Sequence, residues 1–85
     1  MAKVEIYSTG SCPYCVRARN LLERKGVPYI EYRVDLTPEL RPEMEKRANG
    51  GNSVPQIFID DRHIGGCDDM HALDSDGRLD PLLSN

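Results

Sequence analysis

The sequence lacks several features that would assign it to a class at once. It contains no tryptophan, a single phenylalanine, and no apolar run of the roughly 18 residues that a membrane-spanning helix requires. Its first residues do not combine a basic segment, an apolar segment and a small-residue cleavage site, so we predict neither a secretory signal nor an association with membranes. These absences favour a cytoplasmic protein.

The chain also lacks an excess of basic charge. Eleven lysine and arginine residues stand against 14 acidic residues, which gives a formal net charge of −3. Because binding to nucleic acid requires clustered positive charge, this balance argues against a nucleic-acid partner. Apolar residues make up 39% of the 85 residues, enough for one modest core. We therefore predict a single domain over residues 1–85.

Cysteine is scarce, and its spacing is informative. Three cysteines are an odd number, which argues against a framework of permanent disulfides. Cys12 and Cys15 form a Cys-x-x-Cys pair, whereas Cys67 stands apart. In a reducing compartment such a pair is more often redox-active or metal-bound than permanently bridged.

Apolar periodicity predicts the element order β-α-β-α-β-β-α. Strand patterns cover residues 3–8, 29–34, 56–60 and 62–64, and helical patterns cover 13–25, 37–48 and a segment that starts near 67. A short C-terminal turn follows over residues 79–83. The first strand, helix and strand have the spacing of a parallel unit, and the last two strands form a hairpin. We predict an α/β fold with a four-stranded mixed sheet flanked by helices.

The Cys-x-x-Cys pair falls at the junction of the first strand and helix, as in thioredoxin-like redox sites. With Cys12 at the N-cap and Pro13 at the first helical position, the free amides and the helix dipole favour the Cys12 thiolate. Cys15 lies one turn further on, partly under the helix surface. We predict that Cys12 is the nucleophile and Cys15 the resolving cysteine.

A zinc site is the alternative interpretation. His63, Cys67 and His71 recur every four residues and could complete a ligand set with the cysteine pair. The predicted position of His63 on a strand and the lack of a second paired-ligand motif favour redox chemistry. We therefore interpret His63 and His71 as surface histidines. Exposure statistics favour a buried thiol for Cys67 over the alternative, a regulatory thiol open to glutathionylation.

Four segments resemble the dithiol glutaredoxins, most closely the small bacterial members usually called the third type. They are Cys12-Pro13-Tyr14-Cys15, residues 54–59 (VPQIFI), residues 64–69 (IGGCDD) and residues 79–83 (LDPLL). The resemblance implies a thioredoxin-like fold. It also implies a glutathione-dependent oxidoreductase that reduces protein disulfides and glutathione mixed disulfides.

The same resemblance implies a site for glutathione as co-substrate, with no metal and no permanently bound cofactor. Pro55, which from the sequence alone could equally be an ordinary strand-entry proline, would be a cis proline beside the cysteines. The Val54 backbone would pair with the cysteinyl part of glutathione, and Tyr14 would flank the bound thiol. The γ-glutamyl end would be held by the amides of Gly66, Cys67 and Asp68 and by the Asp68 side chain.

One departure from the family concerns a lysine that commonly precedes the first cysteine. Residues 8–11 (STGS) contain none, and Arg47 and Arg17 are candidate replacements. Two other functions stay open: a redoxin reduced by thioredoxin reductase, and a [2Fe–2S] carrier in which two chains each supply Cys12 and two glutathiones complete the ligands. We expect a monomer whose partners are glutathione and disulfide-containing or glutathionylated proteins.

Overall fold

The structure, a computed structural model, describes residues 2–84 as four strands and four helices. Their order is β1 (Val4–Ser8), α1 (Pro13–Arg24), β2 (Ile30–Arg33), α2 (Leu40–Arg47), β3 (Gln56–Ile59), β4 (Arg62–Gly65), α3 (Cys67–Ser75) and α4 (Leu79–Leu83). The strands form one sheet in the order β2-β1-β3-β4. β1 and β2 are parallel, and the other neighbours are antiparallel. The predicted mixed sheet is confirmed.

Both faces of the sheet are covered. Successive side chains of β1 point to opposite faces, so they belong alternately to the two core clusters. Val4 and Ile6 pack with residues of α1, α3 and α4 in the larger core cluster. Tyr7 points to the other face and packs with Phe58 and Met44 in a smaller cluster under α2. All five positions of β1 are buried as a result.

The structure differs from the sequence prediction in two segments. α2 begins at Leu40 rather than Thr37, because residues 37–39 form a tight turn with hydrogen bonds from Leu40 N to Thr37 O and from Arg41 N to Pro38 O. The C-terminal leucines form the helix α4 rather than a turn. The other predicted ends lie within one residue of the observed ends.

One edge of the sheet collects the segments that the sequence singled out. The carboxyl ends of the parallel strands β1 and β2 meet at this edge, together with the start of the antiparallel strand β3. Cys12 and Pro55 are therefore brought together by the sheet order. None of the helices among residues 2–84 combines the length and the apolar composition that crossing a membrane needs, and the longest, α1, has 12 residues.

Candidate active site

Cys12 follows the end of β1 and is the N-cap residue of α1. Pro13 occupies the first turn of α1. Its lack of an N–H costs no hydrogen bond there, because N–H groups of the first turn have no acceptor within the helix. Cys12 is partly exposed, whereas Cys15, one turn further along α1, is completely buried against the core. The site therefore presents one accessible thiol and one shielded thiol.

The pKa of the Cys12 thiol lies below its ordinary value. Burial opposes ionisation, but hydrogen bonds from the Cys15 N–H, the Cys15 thiol and the Tyr14 N–H outweigh it, and the charge of Arg19 adds to their effect. The lower pKa increases the thiolate fraction at neutral pH. The thiolate is the nucleophilic form, so this arrangement suits an attacking sulfur.

Cys15 has the opposite electrostatic environment. Burial is the main cause that raises the pKa of Cys15 to about 11, and the neighbouring Cys12 sulfur adds to it, although hydrogen bonds from Thr9 oppose the rise. Cys15 therefore remains a neutral thiol at neutral pH. It can act only after Cys12 has reacted and its own proton has left.

The Val54-Pro55 peptide bond lies opposite Cys12 and is cis. The Cys12 thiol donates a long hydrogen bond to the Val54 carbonyl oxygen, with 3.9 Å between Sγ and O. Two side chains hold the loop that leads to Val54. Arg41 donates to the Asn52 carbonyl at 2.7 Å, and Gln56 Nε2 donates to the Ser53 carbonyl at 3.0 Å.

Gln56 is itself held by His63, with 2.6 Å between Gln56 Oε1 and His63 Nε2. Because Gln56 uses its amide nitrogen on Ser53, its oxygen is the acceptor, and the network assigns a proton to His63 Nε2. His63 is exposed, as predicted for a surface histidine, and it also holds Gln56. The contact crosses the predicted hairpin between β3 and β4, but the strand pattern does not show which side chains bond across it.

The N-terminus of α3 forms the other side of the site. The Asp69 carboxylate accepts a hydrogen bond from the Gly66 N–H at 3.0 Å, so this amide is already engaged. Of the three amides that the resemblance gives to a ligand, those of Cys67 and Asp68 belong to the first turn and have no acceptor within the helix.

Cys67 is a buried thiol, with 3% of its surface exposed. Burial is the main cause that raises its pKa, the charges of Asp68 and Cys12 add to the rise, and Arg17 opposes it. His71 Nδ1 lies 3.4 Å from the Cys67 sulfur and 2.8 Å from the Cys67 carbonyl oxygen. The Cys67 thiol is therefore uncharged at neutral pH and lines the site.

Together these segments border a groove of about 370 Å³. This volume falls in the range of roughly 300–1,000 Å³ that small-molecule sites occupy. The lining includes every predicted glutathione-binding residue, namely Tyr14, Val54, Pro55, Gly66, Cys67 and Asp68. It also includes Gln56 and His63, which the sequence did not indicate. A larger hollow of about 720 Å³ lies between α1 and α3, and its lining contains none of the predicted catalytic or glutathione-binding residues.

The side chains that the zinc alternative requires do not come together in the described part of the chain. Over the described range 2–84, no three cysteine, histidine, aspartate or glutamate side chains converge on a common centre. His63 is bonded to Gln56 from β4, whereas Cys67 and His71 lie one turn apart on α3.

The structure identifies a different cation from those proposed to replace the missing lysine. Arg47 is bound to Glu5 on the α2 face of the sheet, 3.0 Å from its carboxylate. Arg17 is exposed and acts on the pKa of Cys67 rather than Cys12. Arg19 is the arginine whose charge adds to the lowering of the Cys12 pKa, less than the hydrogen bonds do, and its guanidinium is paired with the Glu31 carboxylate at 2.8 Å. It is four residues after Cys15, on the same side of the helix.

Comparison with known proteins gives a consistent family match. The family model described as Glutaredoxin matches residues 4–64. A probable glutaredoxin of Synechocystis sp. is 61% identical over 82 residues, which cover 96% of this chain and 93% of that protein. Glutaredoxin 3 of Escherichia coli is 58% identical over 83 residues, which cover 98% of this chain and 99% of that protein.

A solved structure extends the similarity to the fold. The crystal structure of the buckwheat glutaredoxin–glutathione complex aligns with a TM-score of 0.89 at 29% sequence identity. The alignment covers 98% of this chain and 77% of the buckwheat chain. The groove beside Cys12 therefore occurs in a chain that shares its fold with a protein solved together with glutathione.

Proposed function

Because the chain belongs to the glutaredoxin family, a family of thiol–disulfide oxidoreductases, we propose that it uses glutathione to reduce protein disulfides and glutathione mixed disulfides. The observation that carries this proposal is the partly exposed Cys12 thiol at the N-cap of α1, beside the Val54 carbonyl and with the buried Cys15 one turn away. The lowered pKa of Cys12 supports it. An accessible thiolate beside a groove is the arrangement that thiol–disulfide exchange requires.

In the monothiol route, the Cys12 thiolate attacks the glutathione sulfur of a mixed disulfide. A bond forms between Cys12 and glutathione, the original disulfide bond breaks, and the other partner leaves as a thiolate that takes up a proton. A second glutathione thiolate then attacks the glutathione sulfur of the adduct. Oxidised glutathione leaves, and the Cys12 thiolate is restored.

In the dithiol route, Cys12 attacks one sulfur of a protein disulfide and forms a mixed disulfide with it. Cys15 loses its proton and attacks the Cys12 sulfur, which releases the reduced protein and forms the Cys12–Cys15 disulfide. Two glutathiones reduce that disulfide in turn. Since Cys15 is buried with a pKa of about 11, it does not compete with Cys12 for the first attack.

The groove offers groups for the cysteinyl and the γ-glutamyl parts of glutathione. The Val54 backbone offers peptide hydrogen bonds beside Cys12, and the amides of Cys67 and Asp68 are suited to a carboxylate because they lie at a helix N-terminus. The Asp68 carboxylate is suited to the ammonium group of the same γ-glutamyl unit. Tyr14, 53% exposed, offers an aromatic wall.

The assignment is tested by turnover of a glutathione mixed disulfide and of a protein disulfide by the wild type and two variants. Cys12→Ser should abolish both activities. Cys15→Ser should retain turnover of the mixed disulfide and lose reduction of the protein disulfide. Equal loss of both activities in both variants would contradict the assigned roles.

A second assay compares the possible electron donors. NADPH oxidation should couple to the protein through glutathione and glutathione reductase, and not through thioredoxin reductase alone. The opposite result would favour the redoxin alternative. The proposal further includes a monomer that works in the reducing cytoplasm, without a permanently bound cofactor and without nucleic acid or membrane as partner.

A further inference from the structure

The backbone with which glutathione is proposed to pair belongs to a short loop between α2 and β3. We call residues 52–55 the Val54 loop. Within the described residues 2–84, the backbone hydrogen bonds before this loop end with that from the Gly51 N–H to the Ala48 carbonyl at 3.1 Å. Backbone pairing resumes at Gln56, opposite β1. The position of Val54 therefore depends on side chains that hold the loop.

Gln56 holds this loop from inside the molecule. Only 5% of its surface is exposed, and both ends of its side-chain amide are engaged. Nε2 donates to the Ser53 carbonyl oxygen at 3.0 Å and lies 3.5 Å from the Ser53 hydroxyl oxygen. Oε1 accepts the hydrogen bond from His63 Nε2 at 2.6 Å. Because a buried amide must satisfy both of its ends, these contacts fix its orientation, and with it the residue next to Val54.

His63 holds the other end of this amide, and its own ring is supported by β3. It stands opposite Phe58 in the register of β3 and β4. The two rings pack with their centroids 5.1 Å apart and their planes at 30°. Since Phe58 is buried in the smaller core cluster, it gives the histidine a rigid support. A chain of contacts therefore runs from the sheet through His63 and Gln56 to Ser53.

Cys12 is fixed separately, from the other side. In the loop before it, the Gly10 N–H donates to Asp35 Oδ2 at 3.3 Å. The Arg33 guanidinium binds the same carboxylate with two hydrogen bonds and lies over Gly10. The Cys12 sulfur is 3.9 Å from the Val54 carbonyl oxygen. Because each side of this contact has its own anchor, a shift of the Val54 loop changes the distance between the nucleophile and the backbone beside it.

We propose that Gln56 and His63 are positioning residues for glutathione: through Ser53 they hold the Val54 backbone where it pairs with the cysteinyl part of a glutathione disulfide while Cys12 attacks. The inference rests on the proposed function, because that function supplies the ligand. Neither residue reacts with a sulfur atom. Their effect should therefore appear in the binding of the glutathionyl group and not in the reactivity of Cys12.

The equilibrium between Cys12 and oxidised glutathione measures this binding. In a Cys15→Ser background, the Cys12 thiolate attacks one sulfur of oxidised glutathione, a bond forms between Cys12 and glutathione, and the other glutathione leaves as a thiolate. The same exchange with hydroxyethyl disulfide forms an adduct that has no peptide to pair with Val54. The ratio of the two equilibrium constants therefore reports the noncovalent contacts of the glutathionyl group, because a change in the Cys12 thiol itself cancels.

Gln56→Met keeps the approximate size of the side chain and removes both hydrogen bonds. It should lower this ratio by about tenfold, and His63→Leu, which removes one hydrogen bond, by about threefold. His63→Gln, whose amide nitrogen can donate to Gln56, should restore most of the loss. Arg62→Leu is the matched control, because Arg62 precedes His63 on β4 and lines a separate hollow with Ile59 and Leu82. Its ratio should equal that of the wild-type sequence.

The double variant Gln56→Met, His63→Leu should lower the ratio no further than Gln56→Met alone, because His63 acts only through Gln56. Additive losses, or an unchanged ratio in both single variants, would overturn the positioning role. Should Gln56→Met not fold, the fall in His63→Leu and its recovery in His63→Gln decide the question. A protein with the native Gln56 and His63 that does not favour the glutathione adduct over the mercaptoethanol adduct would instead overturn the proposed function.

Discussion

At the scale of single residues, Cys12 and Cys15 show how three positions along a helix separate two thiols chemically. They lie one turn apart, and Cys12 faces the amides of the helix start whereas Cys15 faces the core. The pKa is lowered for the first and raised to about 11 for the second. Environment, rather than spacing, therefore decides which sulfur attacks.

Arg19 contributes to this difference, and its role can be measured. Arg19→Gln should raise the Cys12 pKa, so the alkylation rate of Cys12 by iodoacetamide should reach its plateau at higher pH than in the wild type. The matched control is Arg17→Gln, since Arg17 acts on Cys67 and not on Cys12. Identical pH profiles for Arg19→Gln and the wild type would remove Arg19 from the site.

Gly65 is a residue whose identity the backbone requires. Its φ is +120°, and a Cβ atom there would overlap the Asp69 carboxylate that caps α3. Gly65→Ala should lower the free energy of unfolding in urea by about 2–3 kcal/mol. Gly77→Ala, at φ +73° with no neighbouring atom within 4 Å, should cost only about 1 kcal/mol. Equal losses would mean that the overlap with Asp69 is relieved without cost.

The sequence predicts the residues that act through local chemistry better than those that act through distant contacts. The position of Cys12 follows from a motif that is contiguous in the sequence. Arg19, Gln56 and His63 have no such mark, because their effects depend on the packing of α1 and of the loop before Val54. Arg47 is a candidate for the site on charge alone, but the fold places it on the α2 face of the sheet, where it binds Glu5.

At the scale of elements, α2 is joined to the sheet by a polar network under its last turn. Arg47 donates to both oxygens of Glu5, at 3.2 and 3.0 Å, and to the Tyr7 hydroxyl at 2.9 Å. Its guanidinium carbon lies 4.1 Å from the centre of the Phe58 ring. The polar side of this helix is thus partly an interface with the sheet.

Removal of Arg47 leaves the carboxylate of Glu5 buried without its partner. Arg47→Leu should therefore lower the free energy of unfolding by about 2–4 kcal/mol at pH 7. The double variant Glu5→Gln, Arg47→Leu should recover at least half of that loss, because no unpaired charge is left. Additive losses in this double-mutant cycle would contradict the coupling.

The Glu5–Arg47 pair also makes the free energy of unfolding depend on pH, in a direction that the Glu5 pKa determines. Arg47 is the main cause that lowers the Glu5 pKa below its ordinary value of 4.5, with Tyr32 and Lys3 adding to it and burial opposing it. The stabilisation is complete above that value and is lost as the pH falls below it. Urea unfolding at pH 7 and pH 3 should therefore show a smaller acid loss in the double variant than in the wild type.

The sequence predicts the ends of elements with strong local signals well, and it predicts the start of α2 less well. α1 has apolar residues at helical spacing, a proline at its start and a glycine after its end, and its predicted start is confirmed. In α2, Thr37-Pro38 is typical of a helix start, but the hydrogen bonds of Leu40 and Arg41 close a separate turn first. The sequence does not distinguish a turn that precedes a helix from the first turn of that helix.

At the scale of the whole molecule, the two core clusters share the central strands β1 and β3. The Cα radius of gyration is 11.9 Å, close to the roughly 12 Å expected for a folded domain of this length. We therefore predict that the reduced protein unfolds in urea as one unit. Far-UV circular dichroism and tyrosine fluorescence should give coincident transitions, with a slope of about 1 kcal/mol per molar urea.

The control for this prediction follows from the positions of the tyrosines. Tyr7 and Tyr32 belong to the smaller cluster under α2, whereas most helical residues pack on the other face of the sheet. A fluorescence transition that precedes the loss of helical signal would show that the α2 layer separates first. Two transitions of this kind would contradict a single cooperative domain.

The position of Arg33 over Gly10 makes two stretches that are distant in the sequence mutually dependent. A side chain at position 10 would overlap this guanidinium, which ends a flexible side chain and can move aside at the loss of its two hydrogen bonds to Asp35. Engineering of the segment before Cys12 should therefore consider positions 10 and 33 together.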